Sequence, residues 1–121
     1  MIRIVGIQRS EDPSREFVLL QNQGSRRLTL RGHGVVPEHA IETGGFEGVF
    51  FLQDDVLIPP GMFVVLKTGF GQNRWGRTKD GTHVYFCHMN RTEPVWLYVR
   101  GPVHVLATQH TFVERDTYAL V

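Results

Sequence analysis

Cysteine is almost missing from this chain: Cys87 is the single one in 121 residues. A lone thiol excludes an intramolecular disulfide and any zinc site built on several cysteines. Long apolar runs are missing as well. The opening MIRIVGIQRSEDPSREF has no signal-peptide core, and no stretch approaches the ~20 apolar residues of a helical membrane span. The expectation is a chain with no membrane insertion, cytoplasmic as it stands or one domain of an exported parent. Charge of one sign is scarce: 13 basic and 12 acidic residues leave a net +1, too little to draw nucleic acid or an anionic membrane through a global field. Serine occurs only at positions 10, 14 and 25, each in a polar segment and none within a G-x-S-x-G elbow. Asp54 and Asp55, neighbours on an extended chain, diverge or sit in a turn rather than form a carboxylate pair. No catalytic residue is assigned, an enzyme is not expected, and no cofactor signature is present.

What is present is alternation. Apolar side chains recur at every second position, as in Phe17 and Leu19 and again in Leu28 and Leu30, the period of a strand with one face buried and one wet. Turn residues interrupt the apolar runs at short intervals, and no window carries the stripe of a long amphipathic helix. Strands are predicted over residues 2–8, 16–21, 27–32, 49–53, 62–68, 82–88, 95–100, 103–108 and 111–114. Asn22 and Gly24 supply positive φ for one turn, Pro59-Pro60-Gly61 makes another, and Arg100-Gly101-Pro102 turns a late hairpin. The length and 41% hydrophobic content suit one all-β domain over residues 1–121, a β-sandwich of about seven to nine strands. Consecutive apolar pairs, Phe50-Phe51 and Val64-Val65, suggest strands covered on both faces by a loop or another chain. Cys87, alternating with Tyr85 in HVYFCH, reads as a packed thiol.

The order of these pieces resembles the lamin-tail domain. The matching segments are the opening I-R-I, E-F-V-L-L-Q-N-Q-G-S with L-T-L-R-G after it, F-F-L with D-V-L-I-P-P-G-M-F-V-V-L, and the late V-W-L-Y-V-R-G-P-V-H-V-L. They run over roughly residues 1–112. The resemblance implies an immunoglobulin-like β-sandwich and a non-catalytic binding or scaffolding role. Two places depart from the family. Where bacterial members carry Trp and an acidic turn, this chain has Gly32-His33-Gly34-Val35-Val36-Pro37-Glu38; before the late strand it has Asn90-Arg91-Thr92-Glu93-Pro94, without the usual Gly.

Three groups of residues are candidates for chemistry. Six histidines, at 33, 39, 83, 88, 104 and 110, show no metal-ligand spacing, and metal ligation needs three or four donors converging at about 2.0 to 2.2 Å. They read as scattered, and no metal residue is assigned. Residues 69–81 form a glycine-rich loop carrying Arg74, Trp75 and Arg77. There Trp75 either caps the core with an arginine over its face or stacks on a ligand such as single-stranded nucleic acid. Arg26, Arg27 and Arg31 lie near the first hairpin, with Arg27 and Arg31 on the wet face, able to meet an acidic partner or phosphate. Eleven of the 13 basic residues are arginine, the better fork for carboxylate and phosphate. The expected function is a non-catalytic interaction module engaging a protein partner or a second copy through edge strands. The alternatives are a small-ligand or metal-binding sandwich or jelly roll using the histidines, and a single-stranded nucleic-acid module using Arg74, Trp75 and Arg77.

Overall fold

The first strand shows how the chain keeps an apolar face inward although its spacing breaks. In β1 (Ile2–Gln8), Ile2, Ile4 and Ile7 are not at one parity. The ladder with β2 (Phe17–Asn22) slips between Ile4 and Gly6, so that Ile4 faces Leu20 and Ile7 faces Val18. Val5, the extra residue of this bulge, is left exposed. One inserted residue thus turns all three isoleucines toward the core.

The computed structural model of the chain describes residues 1–108; His110 and the strand expected at 111–114 lie outside them. The chain continues through β3 (Leu28–Thr29), β4 (His33–Pro37), α1 (Glu38–Thr43), β5 (Phe50–Phe51), β6 (Leu57–Ile58), β7 (Phe63–Lys67), β8 (Arg74–Arg77), β9 (His83–His88) and β10 (Val103–Ala107). A five-stranded sheet has the order β1-β2-β7-β9-β8, a three-stranded sheet the order β10-β4-β5, and β3 pairs with β6. All ladders are antiparallel except β7 with β9. The all-β expectation is met. Ten strands are described where seven to nine were expected; β4, β6 and β8 lie where no strand was expected.

The core lies between the sheets. Val18, Leu20, Val64, Leu66, Tyr85 and Cys87 face it from the large sheet, Val35 from the small one, Ile58 from β6, and Leu30, Leu52, Met89 and Trp96 from the connections. Trp96 is the largest fully buried side chain. On the far side of the small sheet, α1 packs against β4, which explains why Gly34 to Pro37 are buried without interruption. Gly44 ends this helix in the left-handed region at φ +74°, its N–H donating to Ala40 O at 2.8 Å.

Two polar side chains hold the ends of β2. Asn22, fully buried, donates through Nδ2 to Arg26 O and Ile58 O, both at 2.8 Å, and accepts Gly24 N–H at 3.0 Å. It fastens the β2–β3 turn to the Pro59-Pro60-Gly61 turn, whose Gly61 N–H donates to Asn22 O at 2.7 Å. Glu16, also fully buried, accepts Thr68 Oγ1 and Val95 N–H at 2.8 Å, Trp96 N–H at 2.9 Å and Ser10 N–H at 3.3 Å.

Glu16 explains one departure from expectation. Residues 95–100 carry strand-like alternation but form no strand. The amides of Val95 and Trp96 are committed to the carboxylate, and Val99 N–H turns back to Trp96 O at 3.1 Å. No late hairpin forms at residues 100–102: Gly101 adopts φ +85°, and β10 pairs with β4. The strand expected at 27–32 shrinks to β3, since Leu30 N–H leaves for Val56 O at 3.0 Å and Gly32 turns the chain at φ +92°. The strand expected at 49–53 stops at Phe51, where Leu52 N–H donates to His33 O at 2.8 Å. Conversely, β4 and α1 arise in a segment with no predicted element.

Replacing the Glu16 carboxylate strands several buried donors at once, a cost on the order of 3 kcal/mol. Glu16→Ala should therefore lower the urea midpoint sharply, and Glu16→Gln by a smaller amount. A midpoint unchanged in both variants would show that the four bonds contribute nothing net.

Candidate functional site: the outer face of the five-stranded sheet

Strand alternation gives the large sheet a second apolar surface. Phe17 and Leu19 on β2, Phe63 and Val65 on β7, and Val84 and Phe86 on β9 share the face turned away from the core, by the ladder partners Phe17 and Lys67, Leu19 and Val65, Phe63 and Val84, Val65 and Phe86. The β8–β9 turn, residues 78–82, folds beside this face. Between turn and sheet lie two adjoining cavities, one of about 380 Å³ against Leu19, Phe63, Val65 and Val84, the other of about 480 Å³ against Phe17, Leu19, Val65 and Phe86. Thr78 and Lys79 border both, and Asp80 borders the first. Val65 and Val84 are buried at the centre, whereas Phe17, Leu19, Phe63 and Phe86 remain partly open. The result is an apolar groove.

One end of the groove is basic. Lys67 ends β7 and pairs with His88 on β9, while Arg74 faces Phe86 from β8. Lys67, Arg74, Arg77 and His88 line a further cavity of about 300 Å³ with Gly76 and Phe86. A Cβ at Gly76 would lie 3.0 Å from the Phe86 ring, which would have to shift to admit it. Arg77 donates one N–H to Gly81 O at 2.9 Å. Burial first, then the nearby charges of Lys67 and Arg74, hold the His88 imidazolium below its ordinary titration range.

The opposite face of the same edge is occupied by a hydrogen-bonded and aromatic cluster. Tyr85 Oη donates to Asp54 Oδ2 at 2.5 Å, and Asn73 Nδ2 donates to Oδ1 and Oδ2 of Asp54 at 2.9 and 3.0 Å. Asn73 Oδ1 accepts His88 N–H at 2.8 Å and lies 3.2 Å from His88 Nδ1. Trp75 sits across from Tyr85 in the ladder, its ring centroid 5.2 Å from Tyr85 in an edge contact and 4.9 Å from His83.

The six arginine and tryptophan positions singled out in the sequence therefore divide. Arg74 and Arg77 meet in the basic cavity. Trp75, 36% exposed, is not in a loop and does not cap the core under an arginine; it belongs to edge strand β8, where His83 and Tyr85 take its ring faces and edges. Arg74 stands on the other side of that strand from Trp75, as neighbours on a strand must. Arg26, Arg27 and Arg31 are exposed around β3, apart from the five-stranded sheet in the chain's topology. Lys67 is absent from the sequence-level candidates, and His88 was weighed there only as a metal ligand. Their signal lay in F-V-V-L-K and V-Y-F-C-H, where apolar residues at both parities end in a nitrogen-bearing side chain.

The described histidines go separate ways: His33 to Leu30 O, His88 to Asn73, His83 to Trp75 and His104 to Glu38 at 3.1 Å. His39 lines a different concavity of about 550 Å³ with Glu47, Arg91 and Arg100, where charges of both signs mix. Among the described residues no three His, Cys, Asp or Glu side chains are grouped to hold a metal ion. Asp54 and Asp55 diverge, Asp55 accepting from Thr29 Oγ1 at 3.4 Å. No helix of the described residues is long and apolar enough to cross a membrane. In comparisons with family models, curated proteins and solved structures, nothing matches this chain.

Burial, and secondarily Asp54, pushes both the Tyr85 phenol and the Cys87 thiol above their ordinary values of 10.0 and 9.0. For acids the raised folded-state value means that the neutral forms are favoured by folding. Their contribution is complete below about pH 9 and is lost progressively as pH rises through 10 and beyond. Equilibrium unfolding should show stability falling over that alkaline range, with a shallower fall in Tyr85→Phe. At pH 8 the native thiol should resist a disulfide reagent that labels the unfolded chain at once; rapid stoichiometric labelling of native protein would contradict the burial of Cys87.

Proposed function

We propose that the chain is a non-catalytic interaction module, an immunoglobulin-like β-sandwich of the lamin-tail type, which takes up a protein segment on the outer face of its five-stranded sheet. The observation that carries this reading is the apolar groove closed at one end by Lys67, Arg74, Arg77 and His88. An apolar surface with a cluster of cations at one end selects a partner segment with apolar side chains next to an acidic or otherwise anionic group. Support for the family comes from Glu16, Asn22 and Gly24, three residues of its E-F-V-x-L-x-N-x-G pattern, all of which are bound in the anchors at the ends of β2.

Association of two copies through this face is disfavoured by the same charges. A two-fold contact sets a patch against itself, and here it would set Lys67, Arg74, Arg77 and Lys79 against their equivalents. Stacking on single-stranded nucleic acid has less support, because Trp75 and Arg74 lie on opposite sides of β8 and Trp75 is engaged by His83 and Tyr85.

Selection from a random peptide library is expected to enrich segments with two or more apolar residues beside acidic ones. Reversal of both charges in Lys67→Glu/Arg74→Glu should weaken the selected peptides by about tenfold or more and flatten the salt dependence. Light scattering should return a monomer. Enrichment without acidic preference, or peptides whose binding ignores the double reversal, would remove the outer face as the docking surface.

A further inference from the structure

The basic end of the groove is more specific than a rim of positive charge. Lys67, Arg74 and Arg77 are permanent cations reaching one cavity of about 300 Å³ from two strands, and His88 adds a fourth nitrogen-bearing side chain from a third. Among the described residues no carboxylate lines it. Among the described residues neither Lys67 nor Arg74 has a side-chain hydrogen bond or ion pair, and Arg77 spends one N–H on Gly81 O. Gly76, on the same face of β8 as Arg74, contributes no side chain, and the Phe86 ring lies over it.

Charge and donor number identify what fits. A carboxylate brings one negative charge and two oxygens, leaving at least two of the three permanent cations opposed to each other. A phosphate monoester brings a charge of about −1.5 to −2 and three acceptor oxygens, matching three cations that line one cavity. A nucleic-acid strand presents singly charged diesters in a row and needs stacking surfaces on the same side as the cations. Here the cations line a single cavity, and Trp75, at the opposite parity of β8 from Arg74, is engaged by His83 and Tyr85. The cavity also opens onto the groove, since Lys67, Arg77 and Phe86 border both spaces. An anion bound there is next to apolar surface, as in a phosphorylated side chain beside apolar residues.

We infer that Lys67, Arg74, Arg77 and His88 form a binding site for a single phosphate monoester carried on a partner protein segment whose neighbouring apolar residues enter the groove. This rests on the reading of the outer sheet face as a docking surface and names its partner's chemistry. The depressed protonation of His88 agrees with a cluster of cations awaiting an anion.

The test is an NMR titration of the intact chain with inorganic phosphate, with a short phosphoserine peptide bearing two aromatic residues, and with its unphosphorylated twin. The His88 ring and the amides of β8 should shift with inorganic phosphate and with the phosphopeptide. The phosphopeptide should bind at least about tenfold more tightly than either inorganic phosphate or the twin. Lys67→Gln/Arg74→Gln should abolish the response to phosphate with circular dichroism unchanged, while Leu19→Ser should leave inorganic phosphate binding intact and remove the peptide's advantage. Absence of shifts with phosphate, or shifts that survive Lys67→Gln/Arg74→Gln, would overturn the site. Equal binding of phosphopeptide and twin at the groove would end the phosphate assignment and keep the docking surface. Phosphate binding with no gain from the peptide would assign the site to a free phosphate and reject a partner-borne source. Tighter binding of single-stranded DNA than of the phosphopeptide through Lys67 and Arg74 would replace the monoester by nucleic acid.

Discussion

The rest of the structure depends on a buried carboxylate, Glu16, that forms no ion pair among the described residues. Glu16 is removed from water and meets only donors: a hydroxyl from the end of β7, two consecutive amides from residues 95 and 96, and an amide from the β1–β2 connection. Burying an isolated carboxylate is costly, and it persists only where directed hydrogen bonds replace hydration. Those bonds settle three things together. They close the end of the five-stranded sheet, they prevent residues 95 and 96 from joining a ladder, and they bring Trp96 into the core. Arg9 completes the arrangement by donating through Nε to Trp96 O at 2.9 Å. The indole Nε1 has no partner among the described residues, so Trp96 is held by its backbone and its apolar body.

With Trp96 filling the interior from the connection, the large sheet keeps a further apolar surface on its other side. Strand β9 shows the division residue by residue. Tyr85 and Cys87 turn inward, while Val84, Phe86 and His88 turn outward. A sheet apolar on both faces needs a cover on each. The core supplies one, and the turn of residues 78–82 supplies only part of the other. Lys67, Arg74 and Arg77 at the open end make that remaining surface selective for charge rather than merely adhesive.

Legibility from sequence followed the range of the interactions. Strands β1, β2, β7 and β9 could be read within a residue or so because each carries its own alternation and turn signals. Segments whose backbone is captured from afar could not. Residues 95–100 have the pattern of a strand, and only the distant Glu16 makes them a turn; residue 30 leaves its expected strand because Val56 offers an acceptor. β4 was hidden for a different reason: Gly34 is there because the Phe51 ring lies over it, a Cβ meeting that ring at 3.0 Å, and glycine is a poor local signal of a central strand. Of the candidate site, Arg74 and Arg77 were visible as cations in a glycine-rich segment, but their companions Lys67 and His88 become neighbours only through the parallel pairing of β7 with β9. Parallel pairing is long-range and leaves no turn to read.

The two faces of β8 and β9 are also joined physically. His88 Nδ1 and N–H both turn to Asn73 Oδ1, Asn73 in turn grips Asp54, and Asp54 accepts the Tyr85 hydroxyl from the core side. The ring of His88 is further confined by Gly71, where any Cβ would meet Nε2 at 2.3 Å. One wall of the basic cavity is thereby fixed by the same bonds that satisfy the buried Tyr85. Lys67 and Arg74, which have no such ties among the described residues, supply charge to a wall that is already in place. A preorganised wall lowers the ordering cost of binding, and the cations beside it give the surface its preference for an anion. The shape of this face thus depends on core packing: a change at Asp54 or Tyr85 reaches the groove through Asn73 and His88 without touching a groove residue.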